Sequence, residues 1–160
     1  MSKSPAKNIL SGIVTVAIIG FLIYSRVDSS SHVKEFNSYI KKVRTLLAKQ
    51  DALMDEVQKT PETAVQEKVP KYIERSDALT KSFQAITTSD EELAKMHPLF
   101  AKRSEAISAA LHLVLKYDKS KDKKDLDAQN AKWTEARKHL DAFVAQRDAY
   151  FKKHDIELEK

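Results

Sequence analysis

"LDAQNAKWTEARKHLDAFVAQRDAYFKKH", Leu126 to His154, decides the fold. Leu126, Gln129, Trp133, Ala136, Leu140, Phe143, Arg147, Tyr150 and His154 follow alternating steps of three and four. That spacing stacks all nine along one seam of a single long helix. Most of the residues between them are charged or alanine, so the other faces suit water. A helix with one apolar seam needs partners to cover it.

Three more segments supply them. The first carries Val33, Phe36, Ile40, Val43, Leu47, Gln50, Met54 and Val57 in the same rhythm. The second carries Val65, Val69, Tyr72, Ser76, Leu79, Phe83 and Ile86. The third carries Leu93, Met96, Phe100, Arg103, Ile107, Ala110, Val114 and Tyr117. Leu46, Leu53, Leu99, Leu111, Val144 and Phe151 widen these seams into core-facing stripes. No glycine follows Gly20, so strands joined by tight turns are hard to build. Alanine, lysine, leucine and glutamate, all good helix formers, dominate. The expectation is an all-α chain whose main domain is an up-down-up-down antiparallel four-helix bundle over residues 32–158. Its helices are placed at about 30–59, 62–87, 90–117 and 122–157, joined by connections short enough to force neighbours antiparallel.

The joints carry their own signals. Thr60 before Pro61 reads as a cap followed by proline at the first helical position. Ser89 to Glu92 reads as a capping box. "DKSKDKKD", Asp118 to Asp125, is the third joint. Pro70 and Pro98 fall after helical pattern has begun, and each predicts a bend or a restart.

Upstream of the bundle the chain changes character. "NILSGIVTVAIIGFLIY", Asn8 to Tyr24, has no charged residue, although 32% of the whole chain is charged. A membrane span needs about 17–25 apolar residues. A cleaved signal peptide would end in small neutral residues, whereas here "LIYSRVDSSS" follows. Residues 1–7 therefore read as a basic lead, 8–25 as an uncleaved transmembrane signal anchor, and 26–31 as a short junction. Lys3 and Lys7 before the span favour a cytoplasmic N-terminus and an exported bundle, although Arg26, Lys34, Lys41, Lys42 and Arg44 after it weigh the other way. Gly12 and Gly20 are the candidate transmembrane packing positions, since small residues let helix backbones approach. Glycine is also simply frequent in spans.

Several function classes fall away. There is no cysteine, hence no disulfide and no thiolate chemistry. The net charge of +5 does not mark a nucleic-acid binder. From Val27 onward, 25 lysines and arginines face 23 acids, with no basic patch interleaved with aromatics. No Glu-x-x-His pair, glycine-rich loop or placeable catalytic triad occurs. The topology should gather His32, Met96, His97 and His154 at the end of the bundle nearest the span, where histidines from facing helices are a candidate haem or metal pair. The tail "QRDAYFKKH", Gln146 to His154, is similar to the last helix of the soluble four-helix b-type cytochromes. That family places its ligand histidine directly after Ala-Tyr, where this chain has Phe151. It also places a methionine early in its first helix, and none occurs here between residues 28 and 53. No cofactor and no metal are expected.

The expected function is therefore non-catalytic: a single-pass, membrane-anchored interaction or structural module. Its partners would be the bilayer, through residues 8–25, and another membrane or envelope protein. The alternative is an extracytoplasmic domain holding a small ligand between its helices. In outline that resembles the helical sensor domains of bacterial receptors, which continue into a second span and a signalling region. The residues up to Lys160 carry neither, so autonomous signalling is not expected. Of the seams' polar members, Gln50, Ser76, Arg103, Gln129 and Arg147, Arg103 is expected near the middle, Gln50 and Gln129 towards the distal end and Arg147 towards the membrane, scattered and not one site.

Overall fold

The computed structural model describes residues 31–156, and the described chain is helical, with no strand. Helix α1 spans Ser31–Gln58, α2 Val65–Gln84, α3 Glu91–Met96, α4 Pro98–Ser120 and α5 Lys123–Lys153. A 3-10 turn, Glu62–Ala64, leads into α2. The four long helices form a bundle. Glu56 near the end of α1 pairs with Arg75 on α2, and Lys116 near the end of α4 pairs with Asp125 at the start of α5. Phe36 on α1 stacks on Tyr150 and meets Phe151 near the end of α5. Successive long helices thus run in opposite directions. The proximal end, where α1 begins and α5 finishes, lies opposite a distal end holding the joints α1–α2 and α4–α5.

The three-and-four seams face inward. Every named member of the first and third seams is buried. In the second only Ile86 is half-exposed, and in the fourth only Leu126 and His154. The core is not continuous. A proximal cluster contains Phe36, Tyr39, Phe83, Phe100, Phe143, Tyr150 and Phe151. A distal cluster contains Leu53, Val57, Val69, Ile107, Leu111 and Trp133.

The joints depart from the sequence reading in three places. Asp90, not Ser89, caps α3: its Oδ1 accepts from the Glu92 and Leu93 amides at 2.9 and 3.0 Å. Ser89 instead donates to Glu35 on α1 at 2.8 Å, so its hydroxyl is not available to the helix. Thr60 does not cap either. Its hydroxyl donates back to the Glu56 carbonyl at 2.8 Å and meets the Tyr72 hydroxyl at 3.0 Å. The third joint shrinks to Lys121 and Asp122, because α4 continues to Ser120. Lys121 takes the left-handed conformation, φ 52°, that ends a helix. The two prolines also differ. α2 runs through Pro70 without a break, since the residue sits in its early turns. Pro98 restarts the chain as the first residue of α4, splitting the expected third helix.

The apolar run Asn8–Tyr24, its two glycines Gly12 and Gly20, and the assigned lead and junction up to residue 30 lie outside the described residues. No helix among the described residues is long and apolar enough to cross a membrane.

Candidate functional site

Three polar features stand out against the packed helices. The first is a belt between the two apolar clusters. Arg103, 5% exposed, donates from its guanidinium to Gln50 Oε1. Gln50 Nε2 donates to the Ser104 hydroxyl at 3.0 Å, and Ser104 and Thr80 hydroxyls lie 2.8 Å apart. Thr80 donates to the Ser76 carbonyl at 3.0 Å. Since a carbonyl only accepts, the proton order is fixed from Arg103 through Gln50, Ser104 and Thr80 to the α2 backbone. This relay joins α1, α2 and α4 across the core.

The belt corrects the expectation that Gln50 and Arg103 stand apart. Residue counts along each helix give the two different heights. Arginine and glutamine side chains together reach about 10 Å, close to two helical turns, so a difference of several residues does not separate them. Thr80 and Ser104 lie one position off their seams, and the spacing alone did not find them. Gln129 is fully buried near Trp133 in the distal half. Arg147 is buried towards the proximal end, where it donates to Asp148 and lies 5.6 Å from the Phe151 ring centre. Arg147 by Phe151 and Gln129 beside Trp133 take the proximal and distal heights that their spacing suggests.

Burial acts on the belt's charges. Desolvation pushes the Asp51 carboxyl up to about 6, against the pull of Arg103 and with the help of Asp55. The same effect brings Arg103 down to about 10, with Asp51 opposing it. Asp51 Oδ2, Ser76 Oγ and Trp133 Nε1 are buried without a hydrogen-bond partner among the described residues.

The second feature closes the proximal end. Asp90 is its hub: Oδ2 accepts from the Tyr150 hydroxyl at 2.8 Å and lies 3.1 Å from His32 Nδ1. Burial pushes its carboxyl up. The Leu93 amide, the Tyr150 hydroxyl, His32 and the Glu92 amide outweigh that and hold it at about 2. His32 and His154 stack with ring centres 3.9 Å apart. His154 Nε2 lies 3.1 Å from Glu92 Oε1, which also receives Lys153 at 2.8 Å. Nearby, His97 Nε2 is 2.6 Å from the Phe83 carbonyl and must donate to it. In the neutral ring Nδ1 then accepts the Tyr39 hydroxyl, 3.1 Å away. Tyr39 holds its proton far more tightly than usual, because burial disfavours the phenolate.

The fold therefore brings His32, His97 and His154 to one end, as the topology suggests, with Met96 buried in the cluster beneath. They do not converge on a common point. His32 and His154 address different carboxylates, and His97 joins helix ends. No group of three or more metal-ligating side chains gathers among the described residues.

The third feature is superficial. Two shallow hollows share Lys42 and Thr87 between α1 and the α2–α3 joint. One, of about 410 Å³, is floored by Leu46, Ala85 and Ile86. The other, of about 510 Å³, is rimmed by Ser38, Thr88 and Ser89.

Comparison with protein-family models, with curated proteins and with solved structures finds no match to this chain.

Proposed function

We propose that this protein is a non-catalytic, membrane-anchored interaction module. The residues 8–25 hold it in a bilayer, and a helical bundle is presented on the exported side to another membrane or envelope protein. One observation supports the bundle's part most directly: the polar groups of its central relay bond to one another. The relay from Arg103 to the Ser76 carbonyl occupies the middle of the core. The two hollows between α1 and the α2–α3 joint are shallow and lie outside it. A ligand-processing site would need a cleft with convergent, accessible polar groups. The support for the anchor is the uncharged run from Asn8 to Tyr24.

A second reading, a small ligand between the helices, draws on Asp51 Oδ2, Ser76 Oγ and Trp133 Nε1, which are buried without partners among the described residues. The two readings separate in one experiment. The full-length protein is extracted from its native membrane in mild detergent and analysed by native mass spectrometry and cross-linking. The interaction module should resist release by alkaline carbonate, cross-link to a defined protein, and lose that partner when residues 8–25 are replaced by an unrelated span. Release by carbonate would overturn the anchor. A stoichiometric small molecule, lost on Ser76→Ala in folded protein, would establish the second reading.

A further inference from the structure

We propose that the outward face of the first two-thirds of α1 docks on an anionic lipid surface. Between residues 31 and 49 this helix carries Lys34, Lys41, Lys42, Arg44 and Lys49 against one carboxylate, Glu35. All five cations are exposed. Residues 50–58 reverse the pattern, with Asp51, Asp55 and Glu56 and no cation.

Helix energetics do not account for this division. The partial positive charge at a helix N-terminus favours acids there, and the C-terminus favours bases. α1 has no acid in its first turn and no base in its last. Pairing within the bundle does not account for it either. Some lysines elsewhere among the described residues are paired, Lys116, Lys121, Lys132 and Lys153 each meeting a carboxylate within 2.6 to 2.8 Å, and others such as Lys71 and Lys102 are not. Lys34, Lys41, Lys42 and Lys49 meet none among the described residues. Glu35, the one acid of this stretch of α1, is engaged by Ser89.

The face is shaped for a flat partner. Lys34 and Lys41 form one row and Lys42 and Lys49 an adjacent one, with seven residues, about 10 Å, along each. The exposed positions between them are Ser38, Thr45 and Ala48, too small to hold a plane away. Residues 25–30 separate the apolar run from α1, and six residues reach at most about 20 Å. This inference rests on the anchored reading: a run held in the bilayer keeps α1 at headgroup level, where lysines act on anionic lipid within a Debye length. An acidic protein surface is the competing occupant, and neither the tether nor the flat profile favours it.

The test reconstitutes the full chain in nanodiscs of phosphatidylcholine, alone or with about a third phosphatidylglycerol, and reads lysine acetylation by mass spectrometry. Lys34, Lys41, Lys42 and Lys49 should react several-fold more slowly in the anionic discs, and 0.5 M salt should abolish the difference. Lys119, Lys123 and Lys124, at the distal end, should be unchanged. The triple variant Lys41→Gln, Lys42→Gln, Lys49→Gln should weaken binding to anionic vesicles by about fivefold per lysine. Equal rates in both discs would overturn the proposal, as would equal protection of distal lysines. Protection seen in native membranes but in neither disc would assign the face to an acidic protein. A chain that does not insert speaks against the anchor alone. Its salt-sensitive co-sedimentation with preformed anionic vesicles would still support the docking face, and failure to co-sediment would overturn it.

Discussion

The two ends of the bundle are closed by different means. At the distal end local bonds sit beside two remote ones, in which Gln66 donates to Asp118 and Lys121 lies 3.8 Å from Glu62. Asp122 caps α5 through the Lys124 amide, Ser120 donates to Asp125 five residues on, and Thr60 meets Tyr72 twelve residues on. At the proximal end the partners are remote in sequence. His32 reaches Asp90, Tyr39 reaches His97, Tyr150 reaches Asp90, and His154 reaches Glu92. The distal end turns the chain within each hairpin, α1–α2 and α4–α5. Both ends also bind the hairpins to each other, the distal end by exposed polar contacts and the proximal end by half-buried ones around Asp90 and His97. Local turns can form early and cheaply, whereas remote contacts close long loops and depend on the assembled bundle. The difference places the half-buried part of the remote end contacts at the end nearest residue 31.

The largest test of that division is in the cores. Phe100 stacks on Phe83 and lies 4.2 Å, centre to centre, from Phe143, joining α2, α4 and α5. Phe100→Ala should lower the unfolding free energy by about 3–5 kcal/mol in urea titrations. Leu53→Ala, in the distal cluster, should cost about 2–4 kcal/mol. Amide exchange should then open the α4–α5 contacts around Phe143 first in the Phe100 variant. A near-neutral result at Phe100 would mean the aromatic cluster does not hold the hairpins together.

The caps give a smaller and sharper contrast. Asp90 and Asp122 both cap a helix, but Asp90 also anchors Tyr150 and His32. Asp122→Ala should cost about 0.5–1 kcal/mol, as an exposed cap does. Asp90→Ala should cost about 2–3 kcal/mol, because the Tyr150 hydroxyl also loses its acceptor. Asp90→Asn keeps a capping oxygen and should fall between them. Equal costs for the two alanine variants, by thermal and urea unfolding, would reduce Asp90 to an ordinary cap.

Much of this was legible in the sequence, and the reason is periodicity. Helices repeat every 3.6 residues, so Val33 to Val57 or Leu93 to Tyr117 declare one face without knowledge of their partners. The gathering of His32, His97 and His154 was also legible, because antiparallel order follows from short joints. What escaped was set by competition between partners. Ser89 and Asp90 can both cap α3, and the choice depends on Glu35, 54 residues from Ser89. Thr80 and Ser104 enter the core only because Gln50 and each other wait there. No spacing along one strand of sequence carries that information. Tyr39 is the same kind of omission: it lies one residue off the seam and is 1% exposed through its bond to His97.

The smallest expected effect separates the belt from the proximal hub by the sign of its pH dependence. Asp51, in the belt, has its folded pKa raised to about 6 from an ordinary carboxylate value. The folded state therefore binds this proton more tightly than the unfolded chain does. Stability from Asp51 should rise as pH falls from about 7 towards 4. Partial exposure and solvent screening limit the gain to about 1 kcal/mol. Asp90 is shifted the other way, to about 2. Its contribution is present above about pH 4 and is lost as pH falls through 2. Urea unfolding from pH 7 to 3 should show a stability difference between the wild type and Asp51→Asn that changes with pH down to about 4 and is flat below. Asp90→Asn should leave that upper window unchanged and alter only the acid limb. If Asp51→Asn shows the wild-type slope between pH 7 and 5, the belt carboxylate is solvated as an ordinary surface acid, and the core is divided by the uncharged relay and Arg103 alone.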